Sequence, residues 1–176
     1  GTVGKKDLAE AEKWLIKAAS AGNIDAAFLL GYFYDRGAVS ETKTINPDYT
    51  LAEQWYLKAA EGGNVKAQYK LANLYYNGML GQKDYKRALP WFLKAGDAED
   101  SEAQYSLCLM YNAGQGVPQD FVRAHFWCNL SAASFPSGAQ RDLALQLRDK
   151  IALELSSKGL TQAQSLAQEW WDKHKK

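Results

Sequence analysis

A chain of 176 residues is long enough to bury a sizeable core. With 21 basic against 20 acidic side chains it lacks the broad electrostatic field that draws a protein to nucleic acid or a membrane surface. Four prolines suit a helical chain, two histidines exclude a histidine-rich metal site, and no apolar run approaches the roughly 18 residues of a membrane span, so membrane insertion is not expected. No basic start leading into an apolar stretch is legible here, and the compartment stays open.

In chain order, the first predicted element is a helix carrying Ala11, Trp14, Lys17 and Ala18. Alanine, tryptophan and alanine at offsets of 0, 3 and 7 fall on one helical face. A second helix follows with Ala26, Leu30 and Tyr34 on one stripe, Asn23 as its N-cap and Gly37 closing it in the left-handed conformation. We call this second type A and the tryptophan type B. The next B helix starts near Asp48 and carries Ala52, Trp55, Lys58 and Ala59. The next A helix runs from Asn64 through Ala67, Leu71 and Tyr75 to Gly78. After 36 residues the set returns as Ala88, Trp91, Lys94 and Ala95 behind Asp84, then Ala103, Leu107, Tyr111 and Gly114 behind Asp100. After 36 more, Ala124 and Trp127 return behind Asp120. One hairpin cannot bury its own stripe, so neighbouring copies must stack, small alanines allowing close approach and the aromatic residues filling the gaps.

Two irregularities stand out. The loop from Gly37 to Ala52 takes 15 steps against 10 in its counterparts, and the extra Glu41-Thr42-Lys43-Thr44-Ile45-Asn46-Pro47 is polar, so a surface excursion is expected. Pro90 falls inside a B helix, where a kink or a late start to regular helix is expected. At the start, Gly1-Thr2-Val3-Gly4-Lys5-Lys6-Asp7 aligns without a gap on Gly78-Met79-Leu80-Gly81-Gln82-Lys83-Asp84. Gly1 thus sits where a glycine closes an A helix, and the chain reads as a truncated stack, half a repeat followed by three hairpins; the alternative is a chance match at Gly1 and Thr2. A stack cut there exposes an apolar end around Trp14, and self-association at that end is the expectation.

Past Pro136 the period stops. Ser137-Gly138-Ala139-Gln140 and Thr161-Gln162-Ala163-Gln164 read as capping boxes. They open a helix with apolar spacing from Leu143 to Leu155 and, after a break at Gly159, a last helix from Leu160 to Trp171. The end, Lys173-His174-Lys175-Lys176, is expected to be a frayed, solvated tail. The chain therefore divides into repeats over 1–134 and a C-terminal helical cap over 135–176.

The stretch from Ala67-Gln68-Tyr69-Lys70-Leu71-Ala72-Asn73-Leu74-Tyr75 to Gly78, its copy from Ala103-Gln104-Tyr105 to Tyr111 and Gly114, and the loop Gly114-Gln115-Gly116-Val117-Pro118-Gln119-Asp120 resemble the Sel1-like repeat family, relatives of the tetratricopeptide repeat. The resemblance spans residues 1 to about 134. It implies an all-α fold, a right-handed superhelical stack (an α-solenoid) of antiparallel hairpins with added C-terminal capping helices. It also implies a bacterial origin; the compartment itself stays unknown, with periplasm or cell envelope slightly favoured over cytoplasm.

Chemistry-bearing motifs are missing. Gly114-x-Gly116 is repeat punctuation rather than a phosphate loop, and the carboxylates fall at caps and on exposed faces. His125, at the start of a B helix, reads as a surface or interhelix histidine. No cofactor or metal is expected. Cys108 stands where other copies have Gly31 and Ala72, and Cys128 where they have Tyr56 and Phe92. In related hairpins those two sites pack against each other, which leaves open either a disulfide in an oxidising compartment or two buried thiols. The cysteine-rich secreted branch of the family bridges its hairpins at another spacing.

Trp14, Trp55, Trp91 and Trp127 recur in register and so read as core, as do Tyr34, Tyr75 and Tyr111; Phe28, Tyr69 and Tyr105 pack between copies or line an inner groove. The resemblance places the A helices on the concave side, facing a protein or peptide partner. The positions beside the A-helix stripe are then the binding candidates: Asp25, Phe28, Tyr32 and Asp35; Lys66, Tyr69, Asn73 and Tyr76; Glu102, Tyr105, Leu109 and Asn112. Mixed tyrosine, asparagine and single charges suit hydrogen bonding to an extended peptide with aromatic anchors. The leading function is a non-catalytic interaction scaffold. The alternative is an immunity or inhibitor protein that blocks a bacterial toxin or hydrolase, and a third reading, an enzyme, has no motif behind it.

Overall fold

The computed structural model describes residues 8–39 and 44–175. The expectations for Gly1 to Asp7, for Glu41 to Lys43 and for Lys176 lie outside them. The chain forms two compact units, residues 1–84 and 85–176, each described by itself. The first holds α1 (Leu8–Ser20), α2 (Ile24–Arg36), β1 (Ala38–Val39), β2 (Thr44–Ile45), α3 (Tyr49–Glu61) and α4 (Val65–Asn77). The second holds α5 (Tyr85–Asp97), α6 (Ser101–Ala113), α7 (Phe121–Ser134), α8 (Ala139–Ala152) and α9 (Ser157–His174). The fold is all-α, a stack of helical repeats.

The repeated letters do repeated jobs. Asn23, Asn64 and Asp100 each accept the backbone N–H three residues on, at 2.8, 2.9 and 2.8 Å, and so open α2, α4 and α6. Asp48 and Asp120 cap α3 and α7 in the same way, at 2.9 Å each. The same turns join helix to helix: the N–H groups of Asp48, Asp84 and Asp120 donate to the carbonyls of Tyr34, Tyr75 and Tyr111 at 2.8, 2.8 and 2.9 Å. Gly78 and Gly114, at φ of 76° and 67°, provide the left-handed residue after α4 and α6.

In the first unit α2 packs on α1 and α3, and α3 on α4; the residues they bury are Ala26, Leu30 and Gly31 on α2, Ala52, Tyr56 and Ala59 on α3, and Ala67, Leu71 and Ala72 on α4. Gly31 lies so near the Tyr56 ring that an added Cβ would collide with it. In the second unit α7 is central, packed between α6 on one side and α8 and α9 on the other. That is why His125, Phe126, Trp127 and Cys128 are all buried in a single turn.

Several expectations need correction. The long loop carries a feature not expected from the sequence: Ala38 pairs with Ile45 and Val39 with Thr44 in a two-stranded antiparallel ribbon, with Val39 and Thr44 exposed. The helix around Pro90 starts at Tyr85 and continues to Asp97, so there is no late start; the ring faces solvent, where it displaces no packing partner. Ser137 is not the cap of α8, whose N-cap is Gly138 with no side-chain bond. The final helix begins at Ser157 rather than Leu160, because Ser156 accepts the N–H of Gly159 at 3.2 Å, and the glycine sits in the first turn instead of breaking the helix. His174 is not in a frayed tail: it stacks on Trp170 at 3.9 Å, and its ring nitrogens lie 2.8 Å from the Trp170 carbonyl oxygen and 3.1 Å from that of Asp97.

The tryptophans also divide. Trp127 is buried, Trp55 and Trp91 are half-buried, and Trp14 is 58% exposed on α1. The accompanying lysine explains how partial exposure is tolerated: Lys17, Lys58 and Lys94 lie over Trp14, Trp55 and Trp91 at 5.2, 5.6 and 4.2 Å from the ring centroids. Lys58 Nζ also donates to the Ala19 carbonyl at 2.6 Å, tying the ends of successive B helices together.

Candidate partner-binding surface

In the first unit, the residues beside the A-helix stripe gather into two clefts. At the helix starts, Asp25, Phe28 and Leu29 of α2 face Asn64, Val65 and Lys66 across about 380 Å³. Asn64 does double duty there: its Oδ1 caps α4, and its Nδ2 donates to Asp25 Oδ1 at 3.2 Å. Toward the helix ends, Asp35 of α2 meets Tyr69, Lys70, Asn73, Leu74 and Asn77 of α4, with Met79, around about 280 Å³. Between the two, Tyr32 is exposed and tilts against Phe28 at 6.5 Å, and Phe28 in turn rests on Tyr56 at 6.0 Å. Tyr76 is half-buried on the same helix as Tyr69 and Asn73.

Two of these residues are partly committed internally. Asp35 accepts the Tyr56 hydroxyl at 3.1 Å; burial, and then the nearby Asp35 carboxylate, push the pKa of that phenol up, so it stays a donor. Asn73 Nδ2 donates to the Tyr69 carbonyl at 3.2 Å, which ties its side chain to α4 at the edge of the cleft. Two further hydroxyl–carboxylate pairs hold the helices of this unit together. Tyr34 donates to Glu12 Oε1 at 2.6 Å, with its pKa pushed up to about 12 by burial first and the hydrogen bond next, and Tyr75 donates to Glu53 Oε1 at 2.8 Å.

In the second unit the candidates separate. Glu102 is exposed, and Leu109 and Asn112 are half-buried on α6. Asn112 offers its carbonyl to Gln119 Nε2 at 2.7 Å. Tyr105 is drawn away into the cluster of Ala132, Phe135 and Ala144, edge-on to Phe135 at 6.5 Å, because the end of α7 folds over it.

Sequence reasoning missed Leu29 and Lys70 as cleft residues. The signal was present: their register position holds Leu29, Lys70 and Ser106, a variable site beside a constant stripe. It also missed the buried glutamines. Gln68 Nε2 donates to the Ala60 carbonyl at 3.1 Å and Gln104 Nε2 to that of Gly96 at 3.0 Å, each binding the end of a B helix to the following A helix.

The sulfurs of Cys108 and Cys128 are joined as a disulfide across α6 and α7, with Cα atoms 5.1 Å apart. His125 is an interhelix residue, buried beside Arg148 and Asp149 of α8, and its Nδ1 has no hydrogen-bond partner among the described residues. Burial, helped by Arg148 and opposed by Asp149, lowers its pKa below the ordinary 6.5. The unfolded chain therefore takes up a proton near pH 6.5 that the folded chain resists, and stability is lost as the pH falls from that value toward the folded pKa. The melting temperature of a His125→Gln variant should fall less between pH 7 and pH 5 than that of the parent, as followed by circular dichroism; equal slopes would remove His125 from the acid response.

Among the described residues, no group of three His, Cys, Asp or Glu side chains is placed to hold a metal ion, and no helix is long and apolar enough to cross a membrane.

The pattern of the Sel1 repeat matches four times, at residues 1–23, 24–64, 65–100 and 101–134. No curated protein matches the chain. Among solved structures, a Sel1 repeat protein from Oxalobacter formigenes is 27% identical with a TM-score of 0.62, over 76% of this chain and 95% of its own. The c5321 protein, described as a protective antigen of uropathogenic Escherichia coli strains with an SLR fold, is 26% identical with a TM-score of 0.54; it covers 97% of this chain, which spans 42% of its length. Cysteine rich protein B of Helicobacter pylori, 23% identical with a TM-score of 0.54 over 78% of this chain and 94% of its own, shares the fold.

Proposed function

We propose that this chain, which belongs to the Sel1 repeat family, binds a protein partner in extended conformation along the outward faces of α2 and α4. Sel1 repeat proteins are generally protein-interaction scaffolds without catalytic activity. The observation that carries the reading is the pair of clefts between α2 and α4. They combine the recurring aromatic residues Phe28 and Tyr69 with variable neighbours, the first cleft mainly apolar and the second mainly polar, and carry Asp25, Lys66, Asp35 and Asn73. Such a surface combines an aromatic anchor with a few fixed polar groups, the usual composition of an interface that recognises a chain rather than a small molecule. Tyr32 supplies exposed aromatic area at low entropic cost, Asn73 offers its carbonyl oxygen to a backbone N–H, and Lys66 and Asp25 set charge preference at one end. The end of α7 with Phe135, together with Ala144 of α8, takes Tyr105 out of the binding set.

The test is affinity capture from the source cells with the parent chain and a Tyr32→Ala/Asn73→Ala/Tyr76→Ala variant of equal melting temperature. A partner held by the parent and lost by the variant is the expected result. A partner held equally by both would move the binding surface elsewhere.

A further inference from the structure

In two copies of the repeat the A-helix tyrosine hydroxyl donates to a glutamate of the preceding B helix, Tyr34 to Glu12 and Tyr75 to Glu53. In the third copy that position is Leu89, and the Tyr111 hydroxyl instead accepts from Arg123 Nη1 of α7 at 3.3 Å, with the guanidinium 5.5 Å from the ring centroid. One helical turn further along α7, Phe126 stands where other copies have Gln54 and Pro90. The third copy therefore lacks the carboxylate of the preceding B helix, has Arg123 of the following helix on the tyrosine hydroxyl, in the register that Arg87 holds one copy earlier, and carries an aromatic residue where other copies have a polar or solvent-facing one.

The result is a pocket of about 220 Å³ lined by Leu93, Tyr111, Arg123, Phe126, Trp127 and Leu166. Phe126 and Trp127 form a buried floor, Leu93 of α5 and Leu166 of α9 stand half-buried at its sides, and the Arg123 side chain is 59% exposed at its rim. Asp120 approaches Arg123 Nε at 3.5 Å, a loose, solvent-exposed pairing that leaves the guanidinium open to a second anion. The pocket is smaller than the roughly 300 Å³ where sites for whole small molecules begin, so it suits a single large side chain of a longer ligand.

From this geometry we propose that the second unit docks a peptide segment in which a carboxylate lies next to one large apolar side chain. The side chain enters over Phe126 and Trp127 between Leu93 and Leu166, and the carboxylate meets the Arg123 guanidinium. This site is independent of the α2–α4 face.

The probes are three acetylated, alanine-based hexapeptides: one amidated with a central glutamate–leucine pair, one amidated with glutamine–leucine, and one ending in leucine with a free carboxylate. Binding is read from tryptophan fluorescence and from amide chemical shifts. Both charged peptides, or either, should bind about tenfold more tightly than the glutamine–leucine peptide, shifting Phe126 and Trp127. Arg123→Gln should abolish that preference, and Leu166→Trp, which fills the pocket, should abolish binding, with melting curves unchanged in both. The Tyr32/Asn73/Tyr76 triple variant should bind these peptides as the parent does, which separates failure here from failure at the α2–α4 face. Equal affinity for charged and neutral peptides, a preference that survives Arg123→Gln, binding of decanoate but of no peptide, or no binding at all would each overturn the proposal.

Discussion

Replacing Tyr56 with alanine should destabilise the first unit by about 3–5 kcal/mol, the largest loss expected from any single side chain there. The ring is completely buried, lies against Gly31 and Phe28, and anchors its hydroxyl on Asp35. Its removal leaves a cavity the size of the ring between α2 and α3, where Gly31 has no side chain to fill it. Tyr56→Phe keeps the ring and loses only the hydroxyl bond, so about 1 kcal/mol is expected. Gly31→Ala attacks the same contact from the other side: the new Cβ runs into the ring, and overpacking of this kind costs about 1–3 kcal/mol. Chemical denaturation of the three variants checks the ranking. A Tyr56→Ala loss no larger than that of Tyr56→Phe would mean that the α2–α3 contact does not hold the unit together.

The second large effect concerns Cys108 and Cys128. They occupy the positions where the first hairpin places Gly31 against Tyr56, so the bridge substitutes for a small-against-large packing pair. Both sulfurs lie fully inside the core, and the bridge closes a loop of 20 residues through the turn between α6 and α7. A loop of that size is worth about 3 kcal/mol. Cys108→Ala/Cys128→Ala should therefore melt well below the oxidised parent and near the reduced parent. Cys108→Gly/Cys128→Tyr, which rebuilds the pair of the earlier hairpin, should recover part of the loss and make melting indifferent to reductant. Identical melting of oxidised and reduced parent would show the bridge to be energetically idle.

Much of this architecture was legible in the letters because the repeat assigns each residue type one local task. Asn23, Asn64 and Asp100 are caps wherever they occur, Gly78 and Gly114 close helices, and the alanines mark close approach. What the period cannot show is which neighbour covers a given face. Trp14 and Trp127 occupy equivalent positions, yet one is exposed and the other buried, because α7 has α6, α8 and α9 around it. Tyr105 matches Phe28 and Tyr69 in register but lies under Phe135, a residue beyond the repeat. The start of α9 was misplaced because a threonine with a glutamine three residues later looks like a cap from sequence, whereas Ser156 wins by following the turn that ends α8. His174 joins the second unit through a stack on Trp170 and a carbonyl 77 residues away, a contact without local signature. Of the residues nominated beside the A-helix stripe, Asp25, Phe28, Asp35, Lys66, Tyr69 and Asn73 line the two clefts, whereas Tyr32 and Tyr76 do not. That grouping into two clefts depends on the spacing of α2 and α4, which only the folded chain supplies.

The measurement that most directly tests partner binding on the α2–α4 face is a calorimetric titration of the captured partner, purified, into the parent chain and into the Tyr32→Ala/Asn73→Ala/Tyr76→Ala variant. Loss of two aromatic anchors and one polar contact should weaken the Kd by about 100-fold or more while the variant melts like the parent. An unchanged Kd in a folded variant would place the partner elsewhere and contradict the account.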